Sequence, residues 1–202
     1  FEFINQECPG KVLVSNPTWA NHHSVINRAW LQFEQYPYFD PVSKGIQFDK
    51  WIDTLNNAAP GTVVLLHACA HNPTGVDPTK ENWQKVAEVM KAKKLIPYFD
   101  SAYQGFASGD IIKDAHAIRF FADQGFDMFV SQSYAKNMGL YGERVGALHV
   151  VTKDKETASR VLSQLKMVIR ANVSSNPIHG ARIAERVLSK AANFQSWAEE
   201  LH

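Results

Sequence analysis

The sequence predicts an α/β fold in which a mostly parallel sheet carries helices on both faces. Two observations lead there. Several strand-like segments, among them "TVVLLHA" (62–68) and "LIPYFD" (95–100), are continuous apolar runs, as strands buried on both sides must be. Between such runs lie segments whose apolar residues recur at helical intervals, the pattern of a helix with one buried face. Strand and helix alternating along one chain make crossover units and hence a parallel sheet.

The first element, "KVLVS" (11–15), is a short strand closed by the turn signal "NPTW". "NHHSVINRAW" sets Val25, Ile26 and Ala29 at helical spacing, and "FEQYPYFD" (33–40) reads as a second strand. Phe48, Trp51, Ile52 and Leu55 share one helix face. After the strand at 62–68, Asp77 is the expected N-cap and Pro78 the first residue of a helix buried along Trp83, Val86, Ala87 and Met90. "LIPYFDSAY" and "DMFVSQSY" are strands flanking a helix at about 113–123. "RVGALHVV" is a further strand, and a long helix then carries Val161, Leu165 and Val168. No repeat, low-complexity tract or domain-sized linker interrupts the series, so residues 1–202 read as one domain.

Composition narrows the function. At 202 residues and 45% hydrophobic the chain can bury a sizeable core, and a net charge of +1 offers no electrostatic case for nucleic acid or an acidic membrane surface. No apolar run approaches the ~20 residues that span a bilayer. Neither a nucleic-acid nor a membrane partner is expected. Cys8 and Cys69 form no close pair, which fits a reducing compartment without disulfides. The opening "FEFINQECPG" has no initiator Met and no signal or transit pattern, and reads as an excerpt of a longer protein.

In sheets of this class, ligands gather at the carboxyl ends of the strands. Here the strands run out into "NPTWANHH", "CAHNPTG", "DSAYQG" and "SYAKN". One edge therefore offers Trp19, His22, Asn72, Asp100, Tyr103, Ser133 and Lys136, with Arg144 nearby. An aromatic plate, an amide, a carboxylate, a phenol, an amine and a guanidinium suit a flat, phosphorylated heteroaromatic better than a nucleotide. Neither GxGxxG nor GxxxxGK[ST] occurs. "HACAH" brings His67, Cys69 and His71 close in sequence. On a continuing strand rising ~3.3 Å per residue the two histidines would stand ~13 Å apart, too far for one tetrahedral zinc, so no metal site is expected.

Lys136 stands in a polar turn just after an apolar run rather than on a solvated helix face. An amine that attacks a carbonyl must be neutral, which favours a desolvated place beside other cations.

The stretches "HNPTG", "DSAYQGFASGD" and "SQSYAKNMGLYGERVG" resemble the signatures of the aspartate aminotransferase family, pyridoxal-5′-phosphate (PLP) enzymes of the type I fold. The likeness runs in order from "SNPTWANH" to "SNPIHGARI", and "SYAKNMGLYGERVGA" is closest to the family's mitochondrial form. The resemblance implies exchange of the amino group between aspartate and 2-oxoglutarate, giving oxaloacetate and glutamate. It assigns Lys136 to an imine with the cofactor and to proton transfer, and Asp100 to the pyridine nitrogen. Tyr103 and Asn72 would bond the phenolic oxygen, and His22 would back up Asp100. Trp19 would pack at the ring and, with Asn72, face the substrate. Ser133 and Arg144 would hold the phosphate, a dianion suited to the guanidinium fork.

The resemblance places Arg170, thirty-four residues after Lys136, in the neighbouring subunit's site as ligand of the substrate's second carboxylate. A homodimer with shared active sites is thus implied. So is a mitochondrial matrix location, with the cytoplasm as alternative. By the same likeness the chain is most of the large cofactor domain, without its N-terminal part and the C-terminal small domain. The small-residue phosphate loop, a partner-subunit tyrosine and the α-carboxylate arginine would lie outside it, so activity is expected of the full-length protein only. The loop after Arg170 departs from the family, reading "SNPI" where "SNPP" is common. Two other readings are an aromatic-preferring aminotransferase of the same fold and a non-catalytic protein on the same scaffold.

Overall fold

The computed structural model describes residues 1–8 and 10–201. Its elements are α1 (Glu2–Glu7), β1 (Val12–Asn16), α2 (Asn21–Arg28), β2 (Phe33–Pro37), β3 (Phe39–Asp40), β4 (Gly45–Ile46), α3 (Phe48–Asn57) and β5 (Val63–His67). They continue with α4 (Lys80–Lys93), β6 (Ile96–Ser101), α5 (Ile111–Asp114), α6 (His116–Asp123), β7 (Met128–Ser133) and a 3₁₀ turn at Tyr141–Glu143. The chain closes with β8 (Gly146–Val151), α7 (Lys155–Asn172), α8 (His179–Leu188) and α9 (Ala191–Glu200). Six strands form one sheet in the order β2-β1-β5-β6-β7-β8, and β3 and β4 make a separate ribbon. The pairs β1–β2, β1–β5, β5–β6 and β6–β7 are parallel, while β8 runs antiparallel to β7. The expected mostly parallel α/β sheet is observed.

The continuous apolar runs follow from burial on both faces. Along β5, Val63 and Leu65 join one core with Phe3, Ile26, Tyr98 and Phe129. Val64 and Leu66 point the other way, into a core with Trp51, Trp83, Phe99 and Phe121. Successive strand residues face opposite sides, so a strand between two cores has no polar face to show. α3, α4 and α6 supply the second core, and α1 and α2 the first, with Val161, Leu165 and Val168 of α7 packed against its margin. Among the described residues no helix is long and apolar enough to cross a membrane.

Several boundaries differ from expectation. The segment 33–40 is two strands in two sheets: the ladder to β1 closes with the Tyr38 N–H on the Asn16 carbonyl, where β1 itself ends, and Phe39–Asp40 then pairs with β4. The helix expected near 113–123 is two short helices meeting at Ala115. Asp77 does not cap α4. Thr79 does, in a capping box with Asn82, and α4 begins at Lys80 rather than Pro78. The Asp77 carboxylate instead accepts the Ala70 and His71 backbone N–H groups at 2.6 and 2.8 Å.

Candidate active site

Four loops, each leaving the carboxyl end of a parallel strand, meet around one cleft of about 270 Å³, the loop after β1 contributing Trp19. The loop after β5 turns back at Ala70, which takes a left-handed φ of 47°, and the Asp77 carboxylate pins the two N–H groups of that bend. The turn presents Asn72 to the cleft. β6 carries Asp100 next to its last residue, with Tyr103 just beyond the strand. After β7, Ser133 Oγ accepts the Ala135 N–H at 3.2 Å and the Lys136 carbonyl accepts Gly139 N–H at 3.0 Å, a tight turn that aims Lys136 inward. Gly139 has a φ of 64°, which a glycine adopts without steric cost.

Asp100 is held by a chain of buried groups whose proton positions follow from one fixed donor. The Asn72 backbone N–H can only donate, and it points at His67 Nδ1 at 3.3 Å. His67 Nε2 then carries the hydrogen and donates to Thr18 Oγ1 at 3.0 Å. The Thr18 hydroxyl donates onward to His22 Nδ1 at 2.8 Å, leaving His22 Nε2–H to donate to Asp100 Oδ2 at 2.9 Å. Burial, reinforced by neighbouring His71 and His22, pushes His67 down to about 2, so its ring is uncharged near neutrality and serves as a fixed dipole. The Asp100 side chain keeps 24% exposure, on its cleft side.

Lys136 Nζ lies 5.1 Å from the centre of the Tyr103 ring and 5.6 Å from that of Tyr141, within cation–π range of both. Arg144 closes the cleft from the 3₁₀ turn. It adopts a left-handed φ of 52°, and its Nη1 donates to the Tyr141 carbonyl at 2.9 Å while its guanidinium carbon stands 5.5 Å from that ring. Trp19, 43% exposed, meets His22 edge-on at 5.2 Å.

Trp19, Asn72, Asp100, Tyr103, Ser133, Lys136 and Arg144 thus line one cleft, with His22 directly behind Asp100. Arg170 does not join them. It sits in the last turn of α7, exposed, and bonds Ser174 Oγ. Tyr141, Thr18 and the second-layer role of His67 were not anticipated. An aromatic midway between an amine and a guanidinium was a usable signal for Tyr141, whereas Thr18 shows its role only once α2 is docked. The distance argument for "HACAH" fails. The strand stops at His67, the chain folds back, and the His67 and His71 ring centres stand 4.2 Å apart. All four ring nitrogens are engaged, those of His71 by Ser15 Oγ and Thr74 Oγ1. Among the described residues no three His, Cys, Asp or Glu side chains cluster to hold a metal. Cys69 lines the cleft, its thiol pushed up to about 12 by burial.

The cleft is lined by a carboxylate, an amine and a guanidinium, along with a phenol, an amide and an indole. Such a set can hold a planar ring that carries a basic nitrogen and an anionic substituent. Two larger grooves, of about 820 and 830 Å³, lie at the amino ends of the strands and bring together no comparable group.

The family model described as "Aminotransferase class I and II" matches residues 2–202. The chain belongs to that family. It is 52% identical over 201 residues to the chloroplastic aspartate aminotransferase 3 of Arabidopsis thaliana, covering 99% of this chain and 45% of that protein. To the mitochondrial aspartate aminotransferase P2 of Lupinus angustifolius it is 48% identical, covering 98% and 44%. To the cytoplasmic aspartate aminotransferase of Dictyostelium discoideum it is 50% identical, covering 98% and 46%. Among solved structures, the aspartate aminotransferase of Trypanosoma cruzi superposes with a TM-score of 0.96 at 47% identity, covering 99% of this chain and 52% of that one. The aromatic-amino-acid aminotransferase of Burkholderia pseudomallei, covalently bound to pyridoxal phosphate, does so with 0.96 at 46%, covering 99% and 50%. The chain spans about half the length of the relatives it matches.

Proposed function

We propose that the full-length protein uses PLP to exchange the amino group between aspartate and 2-oxoglutarate, giving oxaloacetate and glutamate. One observation carries the reading: Lys136, Asp100 and Arg144 converge on a single cleft, with Asp100 oriented from behind by His22. When bound, the cofactor would supply an electron-accepting ring and a carbonyl carbon. Lys136 would hold it covalently, and its freed Nζ would move the proton lost by the substrate α-carbon; among the described residues it is the one amine lining the cleft. Asp100 would keep a proton on the ring nitrogen. Tyr103 and Asn72 would donate to the phenolic oxygen and stabilise its anion. Arg144 and Ser133 would bind the phosphate, and Trp19 would cover the ring and exclude water. With Asn72, Trp19 would also border the substrate.

Arg170 would act across a homodimer interface, on the substrate held mainly by the neighbouring subunit. Its exposed place on α7 supports this reading. We read residues 1–202 as most of one large cofactor domain, an N-terminal part and a small C-terminal domain making up the relatives' remaining length. The motif "SYAKNMGLYGERVGA" favours the mitochondrial matrix over the cytoplasm. A fluorescent fusion of the full-length protein tests that choice. A second reading, an aromatic-preferring aminotransferase, has support in the nearly equal likeness to the Burkholderia and Trypanosoma structures.

The test is borohydride reduction of the full-length protein loaded with PLP, followed by denaturation. Wild type should keep the cofactor covalently attached, and Lys136→Ala should bind PLP yet release it on denaturation and lose nearly all turnover. Cofactor that stays attached to Lys136→Ala after reduction would overturn the reading.

A further inference from the structure

The cleft's two chemically distinct walls come from different strands, and the ladder joining them ends at the pair Ser101 and Gln132. Beyond that pair, the Tyr103 loop and the Lys136 turn are joined by side chains. Gln132 Nε2 donates to the Gln104 side-chain oxygen at 2.7 Å. Asn137 Nδ2 donates to the Gln104 backbone carbonyl at 3.0 Å. Only the second of these bonds grips the backbone of the Tyr103 loop, and it starts from the residue next to Lys136.

Asn137 is 4% exposed, and its Oδ1 has no partner among the described residues. A buried amide with one end unmet is a poor choice for packing alone, since an apolar side chain of similar volume would carry no such cost. Each loop also has contacts of its own. Trp197 Nε1 of α9 donates to the Asn137 carbonyl at 2.7 Å. On the far side of Tyr103, Asp114 accepts Gly105 and Ala107 N–H at 2.8 and 3.1 Å and the Ser108 hydroxyl at 2.7 Å. Gly105 has a φ of +96°, and a Cβ there would meet Leu201 at 2.6 Å, so that loop is also pressed against the end of α9.

We propose that Asn137 is a positioning residue: its amide ties the Lys136 turn to the Tyr103 loop and so fixes the amine against the phenol. A displacement of ~1 Å between reacting groups can cost ~10²-fold in rate. The consequence for turnover rests on the transamination reading, but the tie itself does not, and the experiment is done without cofactor so that the two fail separately.

In the full-length cofactor-free protein, lysines are converted to ¹³C-dimethyl-lysines and observed by NMR, the Lys136 signal being identified by its loss in Lys136→Arg. The Tyr103 and Tyr141 rings, at 5.1 and 5.6 Å, should displace that signal from those of solvated lysines. Asn137→Leu should move it more than halfway back to the solvated position while leaving the thermal midpoint unchanged or raised. Should Asn137→Leu not fold, Asn137→Asp keeps the shape without the donor and should show the same displacement. Trp197→Phe removes the bond to the Asn137 carbonyl but spares the tie, and should lower the midpoint with the signal in place. An unmoved Lys136 signal in the Asn137 variant, or an equal displacement in Trp197→Phe, would overturn the proposal.

Discussion

α4 spans 14 residues and buries five of them, whereas α7 spans 18 and buries none. The helix beside the site-bearing strands packs Trp83, Val86 and Met90 into a core shared with Phe99 and Phe121, while α7 leaves Leu162, Met167 and Ile169 between 42% and 68% exposed. The same contrast separates the proposed functional residues. Asp100 is braced by three buried side chains in series, whereas among the described residues Arg170, in the last turn of α7, has one side-chain partner, Ser174. A change at the sheet's carboxyl edge should therefore act through geometry and stability together. A change on α7 should act only through what its side chain touches.

The comparison is sharpened first at Asp100. Asp100→Asn in the full-length protein keeps shape but removes the charge that would hold the ring-nitrogen proton. A loss of several kcal/mol at the transition state would lower kcat/KM by roughly 10³-fold or more, read from steady-state rates. Arg170→Asp comes next. As a substrate clamp it should cut kcat/KM for aspartate about 10²-fold, because a carboxylate would face a carboxylate, with a much smaller loss for phenylalanine and little change in melting temperature. Equal losses on both substrates would assign Arg170 to the helix dipole, an effect of ~0.3–1 kcal/mol.

Stability separates the two regions further. Phe99→Ala, emptying a side chain with 0% exposure, should cost about 3–5 kcal/mol in denaturant unfolding. The pH dependence belongs to the same half. Burial lowers His67 to about 2 and His71 to about 4, against 6.5 when unfolded. Below pH 6.5 the unfolded chain takes up protons that the native rings refuse, so their contribution is full above that value and falls with pH. Unfolding at pH 5 against pH 7.5 should show a loss of roughly 2 kcal/mol per histidine. The smallest effect is expected on α7, where Met167→Ala, at a side chain 68% exposed, should stay within about 0.5 kcal/mol.

How far the sequence can be read depends on the same division. The central strands β5, β6 and β7 and the helices α3 and α4 are legible because burial on one or both faces writes itself as a run or a period. So are the seven cleft residues and His22, because each lies just past a strand's carboxyl end or within a signature motif. α1, α8 and α9 are not. Six residues of α1 are too few to show a period, and α9, which buries none of its residues, has no core face to betray it. The antiparallel sense of β8 leaves no trace in its composition. The bend at Ala70 hides the approach of His67 to His71, since a left-handed alanine carries no local signal. Asp77 misleads because a carboxylate can cap a turn as readily as a helix.

The central claim is that Lys136 is the residue that carries the cofactor, and it is tested most directly by borohydride reduction of the full-length PLP-loaded protein followed by peptide mapping. The account predicts one reduced pyridoxyl label, on Lys136. A label on any other lysine, with Lys136 unmodified, would contradict it.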